Sequence, residues 1–505
     1  MSGFFFWPLV FLLLSLLLGS FRLDVAPSFP ATYVESGVNG SFERVGFPDP
    51  DPNGHPDTTA VILNWSRFTN VVKIVSLLCG PSLENTIHTV FVWNNSPNQI
   101  FEFDFAPCTG SRLRVYNAPD NLYFQARFMA CAQVSTPFCF VQDDDYIVLP
   151  EVILAMRARM SSSSKTGIHL LPAHELLSSQ LRRLDVGSSI HTSFAWLGHG
   201  AIFPRSLAVD FLSLLRLLHL TEDEMKMVDN YFTILRNEYP EVWFDQGIEL
   251  QGGKPFTVGT EGNERNRKHI NRATELLSSI IACERTPCLP GVGDIPYIQY
   301  SLPSLPRTSV SRTSCRGLPC VLETSIRLLP EIVDVSSADV FTREDSSLLL
   351  EEDTKHYLLY PLSHAVDTRA DTAFRSLTGG KKGDAISLDM LRDLDSAWTE
   401  IHMVILTDNA TVAILHKSHF EMYSPFTKSW VSTIHNMSCV DIAGRTYAPA
   451  AMRECSIRMS SPEFSDKRHL YEVNGHSFRV MLSDDMDDSE KWCIYEIWMR
   501  GIAKQ

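Results

Sequence analysis

Three consecutive aspartates, Asp143, Asp144 and Asp145, interrupt the run FCFVQDDDYIV over residues 138–148. Apolar and β-favouring residues lead into them, and Tyr146, Ile147 and Val148 resume the pattern. Carboxylates at the end of a buried strand repel one another and lose solvation, so this arrangement demands positive charge among them. A hard divalent cation, Mg2+ or Mn2+, meets that demand through oxygen ligands and often bridges to a substrate phosphate. Asp143 and Asp145 are the pair with D-x-D spacing. An acidic, solvated turn is the competing reading, and the rest of the chain must decide between them.

The elements around the aspartates place them at a strand end. Residues 60–65 (AVILNW) have strand length, residues 70–79 (NVVKIVSLLC) have helical spacing closed by Gly80-Pro81, and residues 86–93 (TIHTVFVW) form a second strand ending at Asn94-Asn95. Such a unit predicts a parallel pair with a right-handed crossover, and ligands in these sheets bind beyond the carboxyl ends of the strands. Arg67, Asn94 and Asn95 lie at those ends. Residues 112–116 predict a third strand and 122–134 a helix, after which the strand at 138–141 carries its aspartates to the same edge. Residues 167–171 and 193–203 are further β-like runs, 207–220 and 231–235 are helices by composition, and 255–258 is a last short strand. The polar stretch 261–271 (EGNERNRKHIN) predicts a flexible loop carrying Arg265, Arg267, Lys268 and His269.

At 505 residues the chain exceeds one ordinary core. Hydrophobic content of 44% with 20% charged residues describes globular domains, and a formal net charge of −15 argues against a nucleic-acid partner. Residues 4–18 (FFFWPLVFLLLSLLL) are uncharged, close to the length of a signal-peptide core and short of the roughly 20 residues of a membrane span. We read residues 1–22 as a signal-anchor or cleaved signal peptide. The expectation is a type II protein of the ER or Golgi membrane with a luminal catalytic domain, secreted if the segment is cleaved. Residues 23–57 then form a stem. Eleven cysteines suit that compartment; Cys283, Cys288, Cys315 and Cys320 sit where disulfides would staple loops, and no C-x-x-C spacing favours zinc. Sequons begin at Asn39, Asn64, Asn94, Asn409 and Asn436; Asn64 and Asn94 fall in or beside strands and should stay unmodified.

With these residues in place, residues 58–272 resemble the glycosyltransferase domain at the C-terminal end of exostosins. The resemblance rests on AVILNW, VFVWNN, N-L-x(4)-R-F, FVQDDDYIV, GHGAIFPRS and VDNYFTIL in the family's order. It implies a nucleotide-diphospho-sugar transferase fold of GT-A type over residues 58–285, a divalent metal, a UDP-sugar donor and retention of configuration. It further implies Asp145 as the main metal ligand, with Asp143 shared between metal and ribose and Asp144 turned to sugar or solvent. Asn94 and Asn95 would meet uridine or ribose, with Arg67 and Arg127 near the nucleotide. For Arg127 a salt bridge orienting its helix is the alternative. Asp229 would be the catalytic residue that faces the sugar, orienting it or stabilising an oxocarbenium-like transition state; the family has Glu-Asp here and this chain has Val228-Asp229, so one acid is lost. A helix-capping acid is the competing explanation. Arg265 and Arg267 would clamp the diphosphate and His269 would complete the metal sphere, against the plainer alternative of a solvated loop.

Residues 286–350 are Pro/Ser-rich and read as a linker. Beyond them short β-type runs at 385–388, 402–407, 412–415, 478–482 and 492–498 predict an all-β sandwich over residues 351–505. HAVDTRADTAFRS (364–376) followed by GDAISLDML is similar to the opening of discoidin-type domains, which implies a jelly-roll that binds glycans or membranes; Phe374 stands where Trp is usual. The acidic patch at 484–488 reads as a solvated turn. The leading expectation is a metal-dependent transferase acting on a glycan or glycoprotein acceptor. The rival is an inactive, lectin-like glycan-binding protein, and a phosphoesterase would need a second His/Asp cluster that is not evident.

Overall fold

In the computed structural model, strand β1 (Thr58–Asn64) is buried along its whole length because it feeds two cores. Val61 and Leu63 point into one, with Phe91, Phe128, Phe203, Phe211 and Phe232. Ala60 and Ile62 point into the other, with Val71, Ile74, Met156 and Trp243. A strand covered on both faces reads as a continuous apolar run, which is why AVIL lacks alternation. The described residues are 55–106, 108, 110–162, 167–172, 184–186, 189–245, 247–252, 260–283, 296–300, 310–317, 320–328, 351–391, 398–424, 429–442, 452–460 and 477–503.

Helix α1 (Phe68–Leu78) returns the chain to β2 (Ile87–Asn94), parallel to β1. Next come β3 (Leu113–Asn117), helix α2 (Gln125–Gln133), β4 (Phe138–Gln142), the two-residue β5 (Tyr146–Ile147) and helix α3 (Pro150–Ser162). They are followed by β6 (Ile168–Leu171), the small β7 (Leu184–Val186) and β8 (Ile190–Thr192) pair, and β9 (Ala201–Pro204). Helices α4 (Arg205–Leu218), α5 (Glu222–Lys226) and α6 (Asp229–Arg236) precede β10 (Glu241–Phe244) and β11 (Ile248–Glu249), which pairs with β5. β4 lies parallel to β1 on the side away from β2, and β9 runs antiparallel to β4. The first half is therefore α/β on a mixed sheet, as its strand–helix spacing predicts.

Three expectations are corrected. Residues 261–271 are not a loop but the opening turns of the 24-residue helix α7 (Thr260–Cys283), whose Asn266, His269, Ile270 and Ala273 are buried at helical spacing. The polar composition of 261–271 reflects the helix's exposed side. Residues 193–200 are not strand: Gly200 has φ +127, and the Gly198 carbonyl accepts from the Asp143 amide at 2.8 Å, so only Ala201–Pro204 joins the sheet. The predicted strand at 412–415 lies within a helix, Asn409–His416, because the Asp408 carboxylate accepts from the Thr411 amide at 2.9 Å and caps its start. The predicted strand at 255–258 lies outside the described residues, as do Asn39, Cys288 and the N-terminal apolar run.

The expected linker also behaves differently. Within 286–350, β12 (Ser311–Ser314) and β13 (Cys320–Thr324) form a hairpin closed by the Cys315–Cys320 disulfide. β12 pairs parallel with β10, Phe244 opposite Thr313, while β13 pairs with β15 (Ala385–Met390); β14 (Phe374–Arg375) comes between them in sequence. The main sheet is thereby continuous across both halves, with thirteen strands among the described residues. Its antiparallel far end packs against a five-stranded sheet of β14, β16 (Trp398–Thr407), β19 (Ile434–Asp441), β20 (Arg453–Ser460) and β22 (Cys493–Ala503), which the order of the chain interleaves with β17 (Ser418–Ser424), β18 (Ser429–Ser432) and β21 (Ser477–Leu482). Leu388, Phe420, Phe478, Ile405, Ile457 and Trp492 fill the space between, and Leu171 and Phe244 of the first half join the same core. Two facing sheets are partly consistent with the expected sandwich, but one of them is continuous with the sheet of the first half. Asn64 and Asn94 are buried and Asn409 and Asn436 exposed, in line with the expected division of sequons. The 484–488 patch is an exposed turn around the buried Met486.

Arg159 of α3 stitches this seam. Its guanidinium pairs with Asp389, with Glu323 at 3.0 Å and with Glu241 at 3.5 Å, while Arg312 reaches Glu323 at 2.7 Å. Removing one cation strands carboxylates that are largely shielded from water. Arg159→Ala should cost about 3 kcal/mol, and the two halves should still melt together. Calorimetry showing separate transitions for the halves of the wild-type chain would count against the shared sheet.

Candidate active site

The carboxyl ends of β1, β2 and β3 are laced by asparagines in register. Asn64 Nδ2 donates to Asn94 Oδ1 at 2.7 Å, and Asn94 Nδ2 donates to Asn117 Oδ1 at 2.8 Å and to the Asn98 carbonyl at 2.7 Å. Asn94 is fully buried with both ends of its amide engaged. It organises this edge rather than presenting a group to a nucleotide, a correction to the expected uridine contact. Asn95 has a related task. Its Oδ1 accepts from the Leu122 amide at 3.1 Å and its Nδ2 donates to the Tyr123 carbonyl at 3.2 Å. Tyr123 sits at φ +48, a conformation disfavoured for a bulky side chain and held here by Asn95 and Asn121. That turn aims α2, and α2 carries Arg127.

Arg127 is wholly buried and its Nη2 lies 2.9 Å from both Asp143 Oδ1 and Asp229 Oδ2. One guanidinium thus joins the end of β4 to the first residue of α6. The alternatives left open by sequence merge: Arg127 is in an ion pair, and the pair lies at the acidic centre. Its Nε and Nη1, with Asp229 Oδ1, are buried without a hydrogen-bond partner in the structure. On the other flank Arg67, just before α1, donates from Nη1 to Asp144 Oδ1 at 2.6 Å, lies 3.5 Å from Asp145 Oδ2, and donates from Nε to the Gly252 carbonyl at 2.5 Å. Asp144 is therefore turned onto Arg67 and is the most enclosed of the three aspartates, not the one facing outward. A side chain at Gly198 would collide with the Asp143 carboxylate, so the glycine keeps that face of the acid clear.

Four carboxylates, Asp143, Asp144, Asp145 and Asp229, face two guanidinium groups, leaving two negative charges uncompensated if all ionise. The imbalance shows in their proton affinity. Burial first, and then Asp143, push Asp145 up to about 6 against the pull of Arg67 and His199. Burial pushes Asp229 up to about 7 against Arg127, and Asp143 adds to the rise. Asp144 is also raised by burial although Arg67 opposes it. Among the described residues no group of three or more His, Cys, Asp and Glu closes around a metal by itself. The excess negative charge would suit a divalent cation.

His269 is elsewhere. Its Nδ1 lies 2.9 Å from the Tyr231 hydroxyl and its Nε2 3.6 Å from Asp223 Oδ2, and the charges acting on it are those of Asp223, Lys268, Glu224 and Arg265 on α5 and α7. Helical phase directs it against α6, so it joins that packing instead of the aspartates. Arg265 and Arg267 are half-buried on the same helix. The sequence reading missed His199 and Asp245. His199 meets Tyr146 edge-on at 4.2 Å and bears electrostatically on both Asp145 and Asp245. The signal that could have found it is the G-H-G turn itself, where a polar residue sits between two glycines and the first of them is pressed against Asp143.

No family model and no curated protein matches the sequence. Solved structures overlap it in part. One is the Mycobacterium tuberculosis glucosyl-3-phosphoglycerate synthase in complex with Mn2+, UDP and glucosyl-3-phosphoglycerate, at 14% identity over 47% of this chain and 86% of that one, TM-score 0.31. A Pyrobaculum calidifontis mannosyltransferase with GDP-Man and Mn2+ gives 10% identity over 52% and 82%, TM-score 0.28. GalNAc-T7 with UDP, GalNAc and Mn2+ gives 12% over 48% and 54%, TM-score 0.30. Likeness of this degree decides nothing about function, and no family assignment rests on it.

Because the folded pKa values of Asp145 and Asp229 lie above an ordinary carboxylate's, the folded metal-free chain binds more protons than the unfolded one across the interval between. These groups therefore favour the fold at low pH and withdraw that support as pH rises from about 4 to about 7. Denaturant melts across this range should show Asp229→Asn flattening the downward contribution; an unchanged slope would refute the assignment.

Proposed function

We propose that the chain is a metal-dependent glycosyltransferase of GT-A type that moves a sugar from a UDP-sugar to a glycan or glycoprotein acceptor. The reading follows the exostosin-like order of motifs, which also suggests a hexosyl- or N-acetylhexosaminyltransferase that retains configuration. The observation that carries it is the Arg127 bridge. Two acids far apart in sequence, Asp143 at the strand end and Asp229 at the helix start, meet on one buried cation. An inert acidic turn has no need of such a partner.

Asp143 and Asp145, the two more exposed members of the triplet, would hold Mn2+ or Mg2+. The bound cation would supply neutralisation of the charge on a departing diphosphate. Arg67 keeps Asp144 engaged and lies beside Asp145, at the edge where the nucleotide phosphates would arrive. Asp229 has one oxygen on Arg127 and one buried without a partner, and in this reading the unpartnered oxygen would be the one that orients the sugar. Arg127 fixes both acids and needs no motion to do so, which is the preorganisation that electrostatic catalysis requires.

The compartment proposed is the secretory pathway, either at an ER or Golgi membrane through residues 4–18 or as a secreted form. The disulfides Cys79–Cys108, Cys315–Cys320 and Cys439–Cys455 support an oxidising environment. Among the described residues no helix is long and apolar enough to cross a membrane, and the N-terminal run is outside them.

A thermal-shift screen of UDP-sugars with and without Mn2+ tests the reading directly. At ligand near 100 times its dissociation constant the stabilisation should approach about 2.7 kcal/mol. It should depend on the metal and vanish in Asp145→Asn. A folded wild-type chain that no UDP-sugar stabilises in the presence of Mn2+ would sink the proposal.

A further inference from the structure

One wall of the acidic centre is formed by residues 247–252. β11 pairs with β5 directly after the aspartates, and the Leu250 amide donates to the Asp145 carbonyl at 2.6 Å. Beyond it the Gln251 carbonyl accepts from Asn70 Nδ2 at 3.0 Å, and the Gly252 carbonyl accepts from Arg67 Nε at 2.5 Å. This end of the wall is therefore pinned by first-half residues already at the site. The other end begins at Asp245, which is buried, and whose amide donates to the Leu171 carbonyl at 3.0 Å. Its carboxylate accepts the Gly247 amide and is paired with Arg316, whose Nη2 lies 2.7 Å from Oδ1.

Arg316 comes from the all-β half. It follows Cys315 in the disulfide-closed turn between β12 and β13, its amide donates to the Val366 carbonyl at 2.8 Å, and its Nη1 lies 3.5 Å from Glu151 of α3. Gly317, next in the turn, has φ +72, the left-handed conformation that lets the chain reverse while Arg316 points back to the first half. The Cys315 amide donates to the Cys320 carbonyl at 2.9 Å and closes the base of the same turn. Arg316 is thus held on backbone and disulfide before it reaches Asp245. Asp245 in turn lies within electrostatic reach of His199, which also acts on Asp145 and packs on Tyr146.

We propose that Arg316 is a positioning residue for the nucleotide-sugar site: by anchoring Asp245 it holds the 247–252 wall against Asp145 and Arg67. The proposal rests on the transferase reading above and extends it. The all-β half becomes a structural part of the donor site, whatever else it binds. Arg316 pairs with Asp245 and lies near Glu151 of α3, and it reaches the acidic centre through Asp245.

The test uses the full chain, with UDP and Mn2+ as the probe, and measures affinity by calorimetry alongside the ligand-free melting midpoint. Loss of an outer-shell partner typically weakens such sites about 10-fold or more. Arg316→Ala should weaken UDP–Mn2+ binding by about 10-fold while still melting cooperatively. Arg316→Lys, which keeps the cation, should recover most of the loss, whereas Arg369→Ala on the exposed surface of the same half should leave affinity unchanged. If Arg316→Ala does not fold, the Cys315→Ser/Cys320→Ser pair, which retains Arg316 but frees its turn, should weaken binding in the same direction. Folded Arg316→Ala with wild-type affinity, or wild-type affinity in the disulfide-free pair, overturns the proposal alone. A wild-type chain that binds no UDP with Mn2+ overturns the transferase reading and this proposal together.

Discussion

The structure of the acidic centre depends on one buried cation. Arg127 is wholly buried, where an unpaired charge would be prohibitive, and it is tolerable only because Asp143 and Asp229 both meet it. That requirement propagates outward. α2 must enter at a fixed angle, so Asn95 holds the Tyr123 turn. β2 must end where Asn95 can do this, so Asn64, Asn94 and Asn117 lock the three strand ends in register. α6 must begin with its acid facing inward, and the packing of Phe232 and Tyr231 sets that phase.

A second constraint is continuity of the main sheet. β10 passes its edge to β12, and the seam is then covered by charges: Arg159 and Arg312 on one side of the balance, Glu241, Glu323 and Asp389 on the other. Such a network adds little net stability over an apolar seam, but mispairing any member leaves a buried charge, so it enforces register. The β12–β13 hairpin lies within this seam, and so does Arg316. The halves share core residues as well as strands, since Leu171 and Phe244 lie among side chains of the sandwich.

Much of the first half was legible because its signals are local. Fully apolar runs of strand length, helical spacing over α1, and the aspartates at a strand end all follow from short-range patterns, and the structure places each where those patterns indicate. The failures have other causes. Residues 261–271 look like a loop because the exposed side of a long helix is polar, and 412–415 looks like a strand because VAIL carries no period of its own. Residues 311–324 look like linker because their apolar residues are few and their strand partners lie far away in sequence. For 261–271 and 311–324 the deciding interaction is a tertiary one, whereas 412–415 is decided by the local Asp408 cap.

The same division holds at the site. The sequence by itself determined that Asp143, Asp144 and Asp145 end a buried strand, that Arg67 and Asn94-Asn95 reach the same edge, and that the chain carries more acid there than it can leave unbalanced. These follow from residue type and order. Only the tertiary structure decided which acid meets which cation. Asp144 went to Arg67, Asp143 and Asp229 shared Arg127, His269 turned away to Tyr231, and Asp245 was claimed by an arginine from the far half. The physical reason is that ion pairing is set by distance and burial in space, and neither can be read from the spacing of residues along the chain.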